Sequence, residues 1–352
     1  MKILIVPDSF KGTLTAQQVC DCITNGINAY SNHEIESLPF ADGGEGFADC
    51  MEDICNGERK YTKCTDIYGC EKQAYIVTFG DMAVIECASA SGLQKRKRVM
   101  LATSYGTGSL IKFAYECGYK KIILGLGGSG CCDGGAGALT ALGAVFYDEN
   151  QKPIPRPKGN DLNYIFGAGF TNIIKDISFT FACDVENPFC GKNGAAYVFA
   201  PQKGANKTEV EELDNGLQRL SAFLPVDIRN IKGAGAAGGI CGGLYSVYSG
   251  EIKSGFDILS EYADLENKIR QADIIITGEG KTDSQTLMGK LPYKISMLAK
   301  KHSKKCVVIS GSIEGVEIGD RMISLAGDGI TVEEAICNAE KILTEKAKTI
   351  LQ

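Results

Sequence analysis

KIILGLGGSGCCDGGAG, residues 121–137, sets a short apolar run against a segment holding seven glycines, two adjacent cysteines and one aspartate. The run Lys121-Ile122-Ile123-Leu124 predicts a buried strand, and the glycine-loaded segment predicts the turn into a helix over 133–143. Strand, glycine turn and helix in that order are the building unit of an α/β fold. A turn stripped of side chains lets backbone N–H groups approach an anion, and the following helix N-terminus adds positive potential. Phosphate is the ligand such a turn suits.

The same order recurs at both ends of the chain. Residues 2–6 read as an apolar strand followed by PDSFKG (7–12), after which Thr15 is placed to cap a helix carrying Val19, Ile23 and Ile27. Residues 34–40 read as a short strand ending at ADGGEG (41–46). In the last third ADIIITGEG (272–280), KKCVVISGS (304–312) and MISLAGDG (322–329) repeat the pattern. Between them the period changes: residues 61–90 predict three consecutive strands with turns at Gly69 and Gly80-Asp81, a pattern that suits antiparallel pairing. A helix over 105–118 and a proline-rich surface loop over 150–161 follow, and FTFACDV (179–185) and AAYVFAP (195–201) read as strands. The expectation is an α/β protein of two lobes. Residues 1–62 and 258–352 form a discontinuous Rossmann-like parallel-sheet domain, residues 63–257 an inserted mixed α/β domain, and ligands bind in a cleft between them.

Composition limits the partners. The 352 residues carry 37 Lys and Arg against 43 Asp and Glu, a net charge of −6, and the basic cluster Lys95-Arg96-Lys97-Arg98 is short. Nucleic acid, which needs a basic face, is not expected as a partner. The opening apolar run stops at Pro7 and Asp8, too early for a signal peptide or a membrane span, so a cytoplasmic location without membrane contact is expected. Fifteen cysteines without repeated C-x-x-C spacing, beside only His33 and His302, read as small buried side chains in a reducing compartment. Oligomeric state is left open, a homo-oligomer included.

Chemistry concentrates at the predicted strand ends. Residues 125–130 satisfy G-x-G-x-x-G, which fits either a dinucleotide or a phosphate, with Gly127, Gly128 and Ser129 at its centre. A second match spans 233–238 around Gly235. A Walker A motif is excluded, because Gly280-Lys281-Thr282 has Ile275 where the earlier glycine is required. TGEGKTDSQTLMGK (277–290) instead combines Glu279 and Asp283 with two lysines and the hydroxyls of Thr282, Ser284 and Thr286, oxygen ligands for Mg²⁺ and cations for phosphate. ADGGEG offers Asp42 and Glu45 around Gly43 and Gly44; PDSFKG offers Asp8, Ser9 and Lys11; CDVENP offers Asp184 and Asn187. With two histidines, no Ser-His or Cys-His nucleophile is supported. Phosphoryl transfer, which needs positioning, cations and one carboxylate at the acceptor hydroxyl, fits the inventory. A nicotinamide-dependent dehydrogenase and a non-catalytic metabolite sensor remain the rivals.

Taken in register, PDSFKG, ADGGEG, GLGGS with DGGAG, CDVENP with PQKGA, GAGAAGG and TGEGKTDSQT resemble the bacterial glycerate kinase family over nearly the whole chain. The resemblance implies ATP-dependent, Mg²⁺-requiring phosphorylation of D-glycerate, with 2-phosphoglycerate the product, and a fold of two α/β lobes. Its matching positions are Asp8, Ser9, Lys11, Asp42, Gly43, Gly44, Glu45, Ser129, Asp133, Asp184, Asn187, Lys203, Glu279, Asp283 and Ser284. In this reading Asp8, Ser9, Lys11 and residues 42–45 surround the substrate, with Lys11 facing its carboxylate. Asp184 or Asp42 orients the hydroxyl. Gly127, Gly128, Ser129, Asp133, Asn187, Lys203, Gly235 and Ser284 serve the nucleotide, and Glu279 or Asp283 the metal. The chain departs from the family at Gly130-Cys131-Cys132, usually Ala-Thr-Asn, and at Ala200, where glycine is common.

Overall fold

The computed structural model describes residues 1–30, 32–41 and 46–351, so Asp42, Gly43, Gly44 and Glu45 lie outside the described residues. The chain is mixed α/β with parallel sheets. It divides into two compact units: the described residues of Met1–Asp42, Asp53–Cys55 and Phe256–Gln352 form one, those of Gly43–Glu52 and Asn56–Gly255 the other.

The first unit is built on a five-stranded, all-parallel sheet in the order Arg321–Ser324, Lys305–Ser310, Ile274–Gly278, Lys2–Pro7, Glu34–Ser37. Ile3, Leu4, Ile5 and Val6 are all fully buried, as a central strand covered on both faces requires. Each such side chain contributes about 1.5–3 kcal/mol by leaving water. The helix Ala16–Asn28 begins at Thr15 with a complete capping box: the Thr15 hydroxyl accepts from the Gln18 N–H and the Gln18 side chain from the Thr15 N–H. Val19, Ile23 and Ile27 then fall on its buried face. At Gly26 a β-carbon would collide with the Thr344 carbonyl and the Ala347 methyl of the helix Ala339–Ala347, so this glycine sets a close helix–helix approach.

The second unit holds a six-stranded sheet in the order Glu251–Lys253, Ser178–Ala182, Lys121–Gly125, Met82–Glu86, Glu71–Phe79, Glu58–Thr65. The first four strands run parallel and the last three form an antiparallel meander. The three strands expected over 61–90 are present, shifted at both ends. The first begins at Glu58 and pairs along its full length with the second, so a division after residue 62 would cut it. The third stops at Glu86, where Cys87–Ser91 turns into a short helix.

Two local expectations are overturned. AAYVFAP is a helix over Ala195–Phe199 rather than a strand. Its run of apolar residues is too short to fix a period, and the fully buried Ala195 and Ala196 favour helix. The helix expected from residue 133 begins only at Ala136, because Gly134 and Gly135 take φ of 63° and 77°, a region closed to a regular helix.

Candidate active site

In the first unit the strand order reverses between Lys2–Pro7, which leads to Glu34–Ser37 on one side, and Ile274–Gly278, which leads to Lys305–Ser310 on the other. Such a switch point is where open α/β sheets bind ligands, outside the carboxyl ends of the strands. Two loops leave it. In the first, the Asp8 N–H donates to the Gly278 carbonyl at 2.9 Å, and Asp8 Oδ1 accepts from the Ser9 N–H at 2.7 Å and its hydroxyl at 3.3 Å. Asp8 and Ser9 are partly exposed and Lys11 is exposed. In the second, a β-carbon at Gly278 would overlap the Ile309 carbonyl, and one at Gly311 the Gly280 carbonyl. Glycine at these strand ends is a condition of their close stacking.

Glu279 lies inside that second loop, only 4% exposed. Its Oε1 accepts from the Thr286 hydroxyl at 2.5 Å and the Thr282 hydroxyl at 3.2 Å; Oε2 accepts from the Lys290 ammonium at 3.2 Å. Thr282 also bonds Ser310 at 2.7 Å. A buried carboxylate needs such partners to remain charged. With three donors and almost no exposure, Glu279 does not fit the expected metal role, which requires an oxygen open to the ion. Asp283 is partly exposed: Oδ1 accepts from the Gln285 N–H at 2.9 Å, and Oδ2 lies 3.8 Å from Lys281. Among the described residues no group of three or more His, Cys, Asp or Glu side chains is placed to hold a metal ion. Ser284 is exposed on the same loop.

In the second unit the glycine-rich segment is largely closed in on the chain itself. The Gly130 N–H donates to Ser91 O at 2.8 Å and Gly134 N–H to Gly238 O at 3.0 Å. Asp133 is fully buried: Oδ2 accepts from Ser104 N–H at 2.7 Å, Ser104 hydroxyl at 2.8 Å and Gly137 N–H at 3.2 Å, and Oδ1 from Gly135 N–H at 3.2 Å. Burial raises its pKa while these hydrogen bonds pull it back. The carboxylate expected at the nucleotide therefore faces inward and pins the turn. Lys203 is 3% exposed and ties the segment from the other side, donating to Ser129 Oγ at 2.9 Å and Cys131 O at 2.8 Å. Cys131 and Cys132 are fully buried, and burial pushes Cys132 up to about 12 and Cys131 well above the ordinary thiol value. They act as small apolar fillers, as does most of the cysteine complement, ten of fifteen being buried. The outward part of the segment is Gly127 and Gly128, the latter exposed with φ 71°.

Gly235, expected at the nucleotide, is instead buried; its N–H donates to Asn187 O at 3.0 Å, and a β-carbon would overlap the Pro188 carbonyl. Its glycine serves packing. Asn187 binds Asn193 O through Nδ2 at 2.8 Å. Asp184 is exposed just beyond the strand Ser178–Ala182 and accepts from the Gly255 N–H at 3.4 Å. The dinucleotide fingerprint fails on geometry: it requires a helix opening within the glycine motif, whereas the helix here waits until Ala136. Sequence reasoning missed Ser104, whose 29-residue separation from Asp133 leaves no local signal. It also missed the roles of Thr282 and Thr286, although hydroxyls four apart behind an acid were a visible cue.

Each unit is an α/β layer whose polar and glycine-bearing loops gather at the carboxyl ends of parallel strands, the architecture of a small-molecule enzyme. Comparison with known proteins assigns the class: the model of the glycerate kinase family matches residues 3–352, and the chain belongs to that family. It is 40% identical over 326 residues to glycerate 2-kinase of Escherichia coli K12, covering 89% of this chain and 86% of that one. It is 37% identical to a glycerate kinase of Bacillus cereus, covering 99% and 97%. The fold matches the crystal structure of a Salmonella typhimurium LT2 protein provisionally named glycerate kinase 2, with TM-score 0.87, 35% identity and coverage of 99% and 97%.

Proposed function

We propose that this chain transfers the γ-phosphoryl group of ATP to the 2-hydroxyl of D-glycerate, giving 2-phosphoglycerate and ADP. The observation that carries the reading is the family match over residues 3–352, which takes in the strand-end loops of both units. The relative named glycerate 2-kinase supports the 2-hydroxyl.

The glycerate hydroxyl oxygen forms the new P–O bond as the bond from the γ-phosphorus to the bridging oxygen breaks, and the hydroxyl proton passes to a carboxylate. Asp184 and Asp42 are the carboxylates proposed for that proton; Asp184 has the exposure that an acceptor needs. Asp8, Ser9, Lys11 and residues 42–45 are proposed around glycerate, with Lys11 toward its carboxylate. Gly127 and Gly128 are proposed at the phosphates, with Ser129, Asp133 and Lys203 fixing the turn that carries them. When bound, Mg²⁺ neutralises phosphate charge, and it usually keeps waters and few protein ligands; Asp283 is the residue here that fits beside it.

Incubating the purified chain with ATP, Mg²⁺ and D-glycerate and identifying the product by phosphorus NMR tests the reading. The expected result is the 2-phosphate ester with stoichiometric ADP. Absence of any phosphorylated glycerate would overturn it.

A further inference from the structure

The segment TGEGKTDSQTLMGK contains two lysines, and the structure separates them. Lys281 lies 2.9 Å from Glu314 and 3.8 Å from Asp283, a half-exposed side chain between two carboxylates. Among the described residues Lys290 contacts one carboxylate, Glu279, at 3.2 Å; the lysine side chain is 40% exposed while that of its acid is 6% exposed. An ammonium has three N–H donors. Among the described residues one of Lys290's is taken, by Glu279, which leaves two for another acceptor.

What sets this pair apart is how firmly its acid is held. Thr282, Thr286 and Ser310 form a hydroxyl network beneath Glu279, at the carboxyl end of Ile274–Gly278, one of the two strands that flank the switch point. Desolvating a carboxylate is unfavourable unless partners compensate. A surface ion pair made only for stability would not need that construction. The arrangement fixes a negative charge in the loop and thereby fixes the position of the cation above it. The Thr286 N–H donates to Asp283 O and the Lys290 N–H to Thr286 O, at 2.9 and 3.1 Å, so the backbone leading to Lys290 is held by the same turn.

We propose that Lys290 binds an anionic oxygen group of a substrate and that Glu279 is the positioning residue that holds its ammonium in place. The chemistry is shared by two sources, the carboxylate of the hydroxy acid and a phosphate of the nucleotide. The inference rests on the kinase reading for the identity of these ligands, and binding measurements keep the two apart.

The test is isothermal titration calorimetry of the full chain with D-glycerate and, separately, with ATP and Mg²⁺, alongside steady-state kinetics and thermal melting. Lys290→Met is expected to weaken one of the two ligands at least tenfold and the other less than threefold, with KM for the affected ligand rising more than kcat falls. Lys290→Arg is expected to recover part of the loss. Glu279→Gln is expected to weaken the same ligand, because the ammonium loses its anchor. Lys301→Met, which removes a surface pair with Glu266, serves as the control and leaves both affinities unchanged. An effect on glycerate alone identifies the carboxylate, an effect on ATP alone the phosphate. Unchanged affinity for both ligands in a folded Lys290→Met, or equal losses for both that follow a lowered Tm, overturns the proposal. If Lys290→Met does not fold, Lys290→Arg and Lys290→Gln decide by the same criterion. Failure of the kinase reading is a separate outcome: the unmodified chain then forms no phosphoglycerate, whatever the variants bind.

Discussion

The two units treat buried charge in opposite ways. In the glycine-rich segment of the second unit, Asp133 is sealed by donors from Ser104, Gly135 and Gly137, and Lys203 by the neutral oxygens of Ser129 and Cys131. Both charges are turned inward to give a side-chain-poor loop one shape. At the switch point of the first unit the buried acid Glu279 is matched to a cation that remains 40% exposed. There the buried group presents a charge rather than hiding one. A buried charge meets equally buried partners in one loop and a partly exposed cation in the other.

That contrast has measurable consequences. Removing the carboxylate proposed to take the hydroxyl proton has the greatest effect: Asp184→Asn is expected to lower kcat by roughly 10²- to 10⁴-fold with little change in Tm. Full turnover in both Asp184→Asn and Asp42→Asn would sink the base assignment. Asp133→Ala acts on the scaffold. It strands several buried donors and is expected to destabilise the chain by about 3 kcal/mol or more, read as a lower urea midpoint. If the variant keeps its midpoint and loses only nucleotide affinity, Asp133 belongs with the ligand after all.

The pH dependence of stability should carry opposite slopes from two carboxyls. Glu266 in the first unit is held at about 2 by the hydrogen bonds of Lys301 and His302. Its folded value lies below the unfolded one, so its contribution is present above about 4.5 and is lost as pH falls toward 2. Asp133 in the second unit is raised by burial, which gives the opposite slope: its contribution falls as pH rises through its folded pKa. Urea midpoints across the acid range should show Glu266→Gln flattening the acid limb; an unchanged limb refutes the assignment. A smaller, purely local effect is expected at Thr15→Ala, which removes one half of the capping box and should cost about 1 kcal/mol without altering ligand affinity.

Much of the fold was legible because its signals are local. The apolar runs at 2–6, 121–124 and 272–280 each become a parallel strand, and the cap at Thr15 falls where its side chain type requires. The failures have local causes as well. AAYVFAP was too short to reveal a period, and Gly134-Gly135 delayed a helix that composition alone placed earlier. For the site, sequence located the strand-end loops but could not rank their residues. The burial of Glu279, the inward turn of Asp133 and the closure of Gly235 all depend on partners 7 to 48 residues away.

The sequence by itself determined the α/β class, the loops at the strand ends and membership of a kinase family, since hydrophobic period and glycine placement act over a few residues. Only the tertiary structure decided which charges are structural and which face outward. The cost of burying a charge depends on every donor brought near it, and Ser104, Lys203 and Ser310 reach their partners only when distant parts of the chain pack together.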